Sequence, residues 1–138
     1  MITKKITYTN YNGEEITREF MFNLSKAELV HMEYTTPGGF KAYIQSITEA
    51  KDVPALYSIF EKIVRESYGE KSPDGERFVK LEADGKTPKW IAFSQTEAYS
   101  ELIVELVTNT DAAIQFIKGV GPTPVDIPEG AIPGWCLR

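Results

Sequence analysis

The first twenty-two residues carry the pattern that most restricts what this chain can become. Ile2, Lys4, Ile6 and Tyr8 alternate with Thr3, Lys5, Thr7 and Thr9. A period of two in strand-favouring residues predicts a strand over 2–9. Asn12-Gly13 follows as a turn signal. Ile16, Phe20 and Phe22 then share one face over 15–22, interrupted by Arg18. The two segments read as a β-hairpin. An isolated hairpin is marginal in water, so its apolar face must pack on helices or pair with another chain.

Helical signals take over after residue 24. Ser25 and Glu28 form a capping box, with Leu24 and Leu29 at the spacing of a hydrophobic staple, which predicts a helix of about 26–34. Pro37-Gly38-Gly39 breaks it. Phe40, Tyr43, Ile44 and Ile47 recur at helical spacing over about 40–50. Asp52 caps a third helix with Pro54 in its first turn, where a missing N–H costs little. Leu56, Ile59, Phe60, Ile63 and Val64 give its apolar stripe, and Gly69 stands where a left-handed helix stop is expected. Further on, Ser94 and Glu97 match a second capping box before a helix near 95–108, with Ala98, Leu102 and Leu106 inward. Thr110 or Asp111 opens a last helix that Gly119 stops.

The fold class expected from this order is α+β and mainly α-helical. A hairpin over 2–22 leads a bundle of about five helices over 24–119, within one globular domain over 1–119. Pro122, Pro124, Pro128 and Pro133 make the remainder, 120–138, an extended tail that cannot be a helix or a central strand. Residues 69–93 are the least regular part. Pro73-Asp74-Gly75, Asp84-Gly85 and Pro88 mark turns there, and Phe78, Val79, Trp90, Ile91 and Phe93 either anchor a loop or form short strands.

Chemistry is hard to assemble from these residues. Gly69-Glu70-Lys71-Ser72 resembles part of a phosphate loop, but it follows a helix signal and has no second glycine before its lysine. A helix stop and a polar turn explain it better. His31 and Cys136 are the only residues of their kinds, too few for a zinc site and poorly placed as a nucleophilic pair. Glu97, Glu101 and Glu105 lie in a row on one helix and read as a solvated face. The net charge of −5 disfavours nonspecific nucleic-acid binding and anionic membrane surfaces. The polar, alternating N-terminus is neither a secretory signal nor an anchor. No catalytic residue, cofactor or metal is assigned, and an enzyme is not expected.

Three stretches carry a family resemblance: FMFNLSKAELVHME, FEKIVRESYGEKSPDGERFVK and FSQTEAYSELIVELVTNTDAAIQFIKGV. Together they resemble the tail assembly chaperones encoded in tail-gene clusters of siphophages and prophages of Gram-positive bacteria. The resemblance implies a non-enzymatic protein of the host bacterial cytoplasm. Its partner would be the helical tape-measure protein, kept soluble until tail-tube subunits replace the chaperone. The tail-tube protein and a second copy of the chain are further candidate partners. Ile6, Tyr8, Phe20 and Phe22 are then expected to serve packing or self-association. The segment from Tyr68 to Lys80 is read either as partner-facing, through Tyr68, Arg77 and Phe78, or as a plain connector. The alternatives are a structural virion protein of the tail or head–tail connector, and a small phage adaptor that binds a host protein.

Overall fold

The computed structural model describes residues 1–120. The expected tail, apart from Val120, and Cys136 with it, lie outside the described residues. Strands β1 (Ile2–Thr9) and β2 (Glu15–Phe22) form the hairpin in the register Ile2↔Phe22 through Thr9↔Glu15. Its turn is a three-residue loop. The Gly13 N–H donates to the Asn10 carbonyl and the Asn10 N–H to the Glu14 carbonyl, at 3.0 and 2.9 Å. Gly13 takes φ +79°, a left-handed geometry in which a side chain would be strained. Asn10 Oδ1 adds two bonds, accepting from the N–H groups of Asn12 and Glu14.

The pleat sorts the side chains as the sequence pattern implies. Ile2, Lys4, Ile6 and Tyr8 share a face with Ile16, Phe20 and Phe22, and helices cover it. Thr3, Lys5, Thr7 and Thr9 are exposed on the other face. Opposite them Glu15, Thr17 and Glu19 keep that face polar, and the Thr7 and Thr17 hydroxyls bond across the pair at 2.8 Å.

The hairpin does not stand alone. Strand β3 (Tyr68–Lys71) pairs with the end of β2 through Met21↔Gly69 and Phe22↔Tyr68. Strand β4 (Phe78–Val79) pairs with β3, giving an antiparallel sheet in the order β1-β2-β3-β4. Gly69 is therefore not a left-handed helix stop. It lies in a strand, where a Cβ would fall 2.6 Å from both the Phe78 ring and the Val79 carbonyl. The strands approach there because glycine leaves room.

Helices α1 (Lys26–Thr35), α2 (Phe40–Glu49) and α3 (Val53–Ser67) follow the hairpin. The Ser25–Glu28 capping box is complete, and Asp52 accepts from the Ala55 N–H. Buried Glu33 ties α1 to α2, accepting from the N–H groups of Phe40 and Lys41 at 3.0 and 3.2 Å. This answers the open amides that start any helix.

Beyond β4, an isolated bridge pairs Leu81 with Pro88. Asp84 braces the turn between them and is held down at about 2 by the Thr87 hydroxyl and the N–H groups of Thr87 and Lys86. A short helix α4 (Trp90–Ser94) precedes α5 (Glu97–Thr108) and α6 (Thr110–Val120). Ser94 does not cap α5. Its hydroxyl donates back to the Ile91 carbonyl within α4, while Thr96 Oγ1 accepts from the Tyr99 N–H and is the N-cap. Nor does Gly119 stop α6. It lies inside the helix, where its missing side chain admits Ile2 of β1. The core joins β1 and β2 to α3, α5 and α6 through Phe22, Ile63, Val64, Leu102, Leu106 and Phe116, all nearly inaccessible.

Two substitutions test these assignments by urea unfolding. Gly69→Ala should lower stability by about 1–3 kcal/mol, because backbone on the neighbouring strand must move. Thr96→Ala should cost about 1 kcal/mol as a lost cap. Ser94→Ala should stay within about 0.5 kcal/mol of the parent; the reverse ranking would return the cap to Ser94.

Candidate interaction surface

Five of the seven residues singled out by sequence come together, inside the protein. Ile6, Tyr8 and Phe22 are buried and Phe20 is half-buried. Tyr68 stacks on Phe93 with centroids 4.3 Å apart and planes 9° from parallel. Phe20 and Phe22 reach the same Phe93 ring at 5.0 and 5.8 Å. These side chains pack the hairpin onto the helical layer, so Ile6, Tyr8 and Phe22 offer little surface to anything else. Arg77 and Phe78 lie apart from them. By register Phe78 faces the side of the sheet opposite Tyr68. Arg77 is exposed, and its backbone closes the β3–β4 turn against Ser72. The Phe78 ring lies near the Lys80 ammonium, 5.8 Å away.

The glutamate row on α5 is not simply solvated. Glu105 receives Lys4 of β1 at 2.6 Å, and Glu97 accepts from the hydroxyl of Tyr11 at the hairpin tip at 2.7 Å. Two of the three carboxylates thus fasten the hairpin along α5, while Glu101 remains exposed. His31 lines a shallow groove of about 290 Å³ with Leu24, Met32 and Glu66. Lys80 bonds to Glu28 and to the Glu66 carbonyl beside it. Among the described residues no group of His, Cys, Asp and Glu could hold a metal ion, and no helix is long and apolar enough to cross a membrane.

A different surface carries the composition of a contact site. Tyr57, Glu61 and Arg65 stand four residues apart on α3, beside the inward stripe of Ile59, Ile63 and Val64. The Arg65 guanidinium lies 5.4 Å from the centroid of the Trp90 ring on α4. Tyr99 on α5 lies among Tyr57, Glu61 and Arg65. Its phenol is raised above its ordinary value first by burial, then by the Glu61 carboxylate and Tyr57, with Arg65 opposing. Tyr57 and Ile91 keep 42% and 37% of their surface open. Tyrosine, tryptophan and arginine dominate binding hot spots because each combines large apolar area with a polar handle. The row at 57, 61 and 65 was visible as a helical period; its convergence with Trp90 and Tyr99 needed the fold.

Tyr68 gives the packing a pH signature. Burial pushes its phenol to about 12, with the Glu70 and Glu82 carboxylates adding to the effect. The unfolded chain releases that proton near 10.0 while the folded chain keeps it. Stability should therefore be complete below pH 10.0 and fall as pH rises towards about 12. Urea midpoints across that window should fall less steeply in Tyr68→Phe than in the parent.

With this arrangement in view, comparison with known proteins gives one match. A family model described as phage tail assembly chaperone covers residues 1–129. No curated protein and no solved structure matches the chain. The match spans all of the described residues, and the chain belongs to the phage tail assembly chaperone family.

Proposed function

We propose that this chaperone binds the helical tape-measure protein in the host cytoplasm and keeps it soluble until tail-tube subunits replace it. The observation that carries the reading is the ridge of Tyr57, Arg65, Trp90 and Tyr99, which leaves aromatic area and a cation open on a folded, helix-built surface. A long helix with an apolar stripe is recognised by such a surface through anchors spaced along its turns. The ridge is modest and includes two charges, Glu61 and Arg65, as suits a partner that must later be released. The family membership supports a role in tail assembly, and the ridge adds a place where a tail protein would bind.

Coexpression with the tape-measure protein of the same phage, followed by size-exclusion chromatography, tests the proposal. Comigration is expected, with the tape measure soluble only when the chaperone is present. Tyr57→Ala with Arg65→Ala should weaken binding by about 2 kcal/mol, roughly thirtyfold. The urea midpoint should stay near that of the parent, since both residues lie at the surface and outside the core. A tape measure that stays insoluble while the chaperone elutes alone would overturn the reading. Retention of the chain in purified virions would point instead to a structural component.

A further inference from the structure

Among the described residues, β1 lies at one edge of the sheet with β2 as its one strand neighbour. In the turn, the Asn10 N–H bonds to the Glu14 carbonyl. By the alternation of an antiparallel ladder, even-numbered residues of β1 then bond to β2. Thr3, Lys5, Thr7 and Thr9 turn their N–H and C=O groups the other way. Such an edge invites another strand. Helix α5 runs beside it. Tyr11 reaches Glu97 at 2.7 Å and Lys4 reaches Glu105 at 2.6 Å, so α5 is antiparallel to β1. Between these two points Lys5, Ile6 and Thr7 form a cleft of about 220 Å³ with Glu101 and Val104. Val104 is apolar yet 56% exposed, and Glu101 is exposed with it.

The registers open to a second copy can be compared. Pairing about a two-fold axis sets odd-numbered residues opposite odd-numbered ones, since those carry the outward groups. Centring the pair on Lys5 puts lysine directly against lysine, which is destabilising. Centring it on Lys4 does the same. Centring it on Ile6 sets Lys5 against Thr7 and Thr3 against Thr9. That ladder runs from Thr3 to Thr9 with no like charges opposed, and moving the centre further towards the turn shortens it.

The same register fills the cleft. It sets the second copy's Lys4 opposite Tyr8. Glu101 stands midway between Glu97 and Glu105, level with Thr7 and Tyr8 in the alignment of α5 on β1. The second copy's Lys4 therefore arrives beside an exposed carboxylate of opposite charge. Both α5 helices fall on one side of the joined sheet, antiparallel across the axis, and each covers the Val104 of the other. An extended segment of an unrelated protein would gain the ladder without the Lys4–Glu101 pairs or the apolar seam. We propose that two copies of this chain join through antiparallel β1 strands centred on Ile6, with α5 against α5.

The proposal is independent of the tape-measure reading, and sedimentation of the full-length chain alone tests it. The parent should pass from monomer to dimer as its concentration rises. Thr7→Pro removes an outward N–H and keeps the bonds to β2, so it should raise the dimer dissociation constant at least tenfold. Its urea midpoint, measured where the chain is monomeric, should stay near that of the parent. Charge exchange gives a second reading that needs no proline. Glu101→Lys and Lys4→Glu should each weaken self-association at least tenfold. An equimolar mixture of the two should recover it as a heterodimer, because each contact across the axis again joins opposite charges. A parent that stays monomeric at every concentration would overturn the proposal. So would a dimer that Thr7→Pro leaves unchanged, or charge variants that fail to recover on mixing.

Discussion

The Phe93 ring is where the two halves of this protein meet. It arrives on a five-residue helix that has no side-chain cap, so little local energy holds it in place. Around it stand Phe20 and Phe22 from the hairpin, Tyr68 from the start of β3 and Tyr99 from α5, at centroid distances between 4.3 and 5.8 Å. Each tilted or stacked pair adds about 0.5–1.5 kcal/mol beyond the area it buries. More important is what the ring connects. A hairpin of sixteen strand residues cannot hold itself in water, and the residues that cover it come from positions 59 to 120. The fold therefore closes through contacts far apart in sequence, with Phe93 in the middle of them.

That dependence explains what could be read from the sequence. The hairpin, the Ser25–Glu28 cap and the first three helices were legible to within a residue or two, because their signals are local: a period, a turn, a cap. The extension of the sheet was not. Tyr68–Lys71 carries one aromatic, a glycine and two charges, which gives no strand period. It is a strand because Met21 and Phe22 present an open ladder to it. Gly69 illustrates the ambiguity: after a helix a glycine suggests a stop, and only the position of Phe78 shows that closeness, not φ, is what it provides. Ser94 and Thr96 pose the same problem in miniature. Both stand just ahead of Glu97, and the short α4 claimed Ser94 first.

The candidate surface follows the same division. The sequence left the apolar residues of the hairpin to serve packing or self-association, because a hairpin face must be covered by something. The covering is intramolecular, which turns Ile6, Tyr8 and Phe22 into core. The ridge on α3 became visible only when Trp90 and Tyr99, distant in sequence, came to lie beside Arg65 and Glu61. Arg77 is exposed, and its backbone closes the β3–β4 turn against Ser72.

Covering the inner face of the hairpin with helices leaves its outer face and its edge to be managed by sequence. On the hairpin the outer face is mostly threonine and charge, with Met21 the one apolar residue, so sheets have little reason to stack through it. The edge is harder to silence, because its polar groups are backbone. A lysine at its centre discourages a like-charged copy in the register that sets Lys5 against Lys5. A partner-binding protein that exposes aromatic area on one side gains from keeping the other side closed, since an open edge would compete for extended segments of any chain nearby.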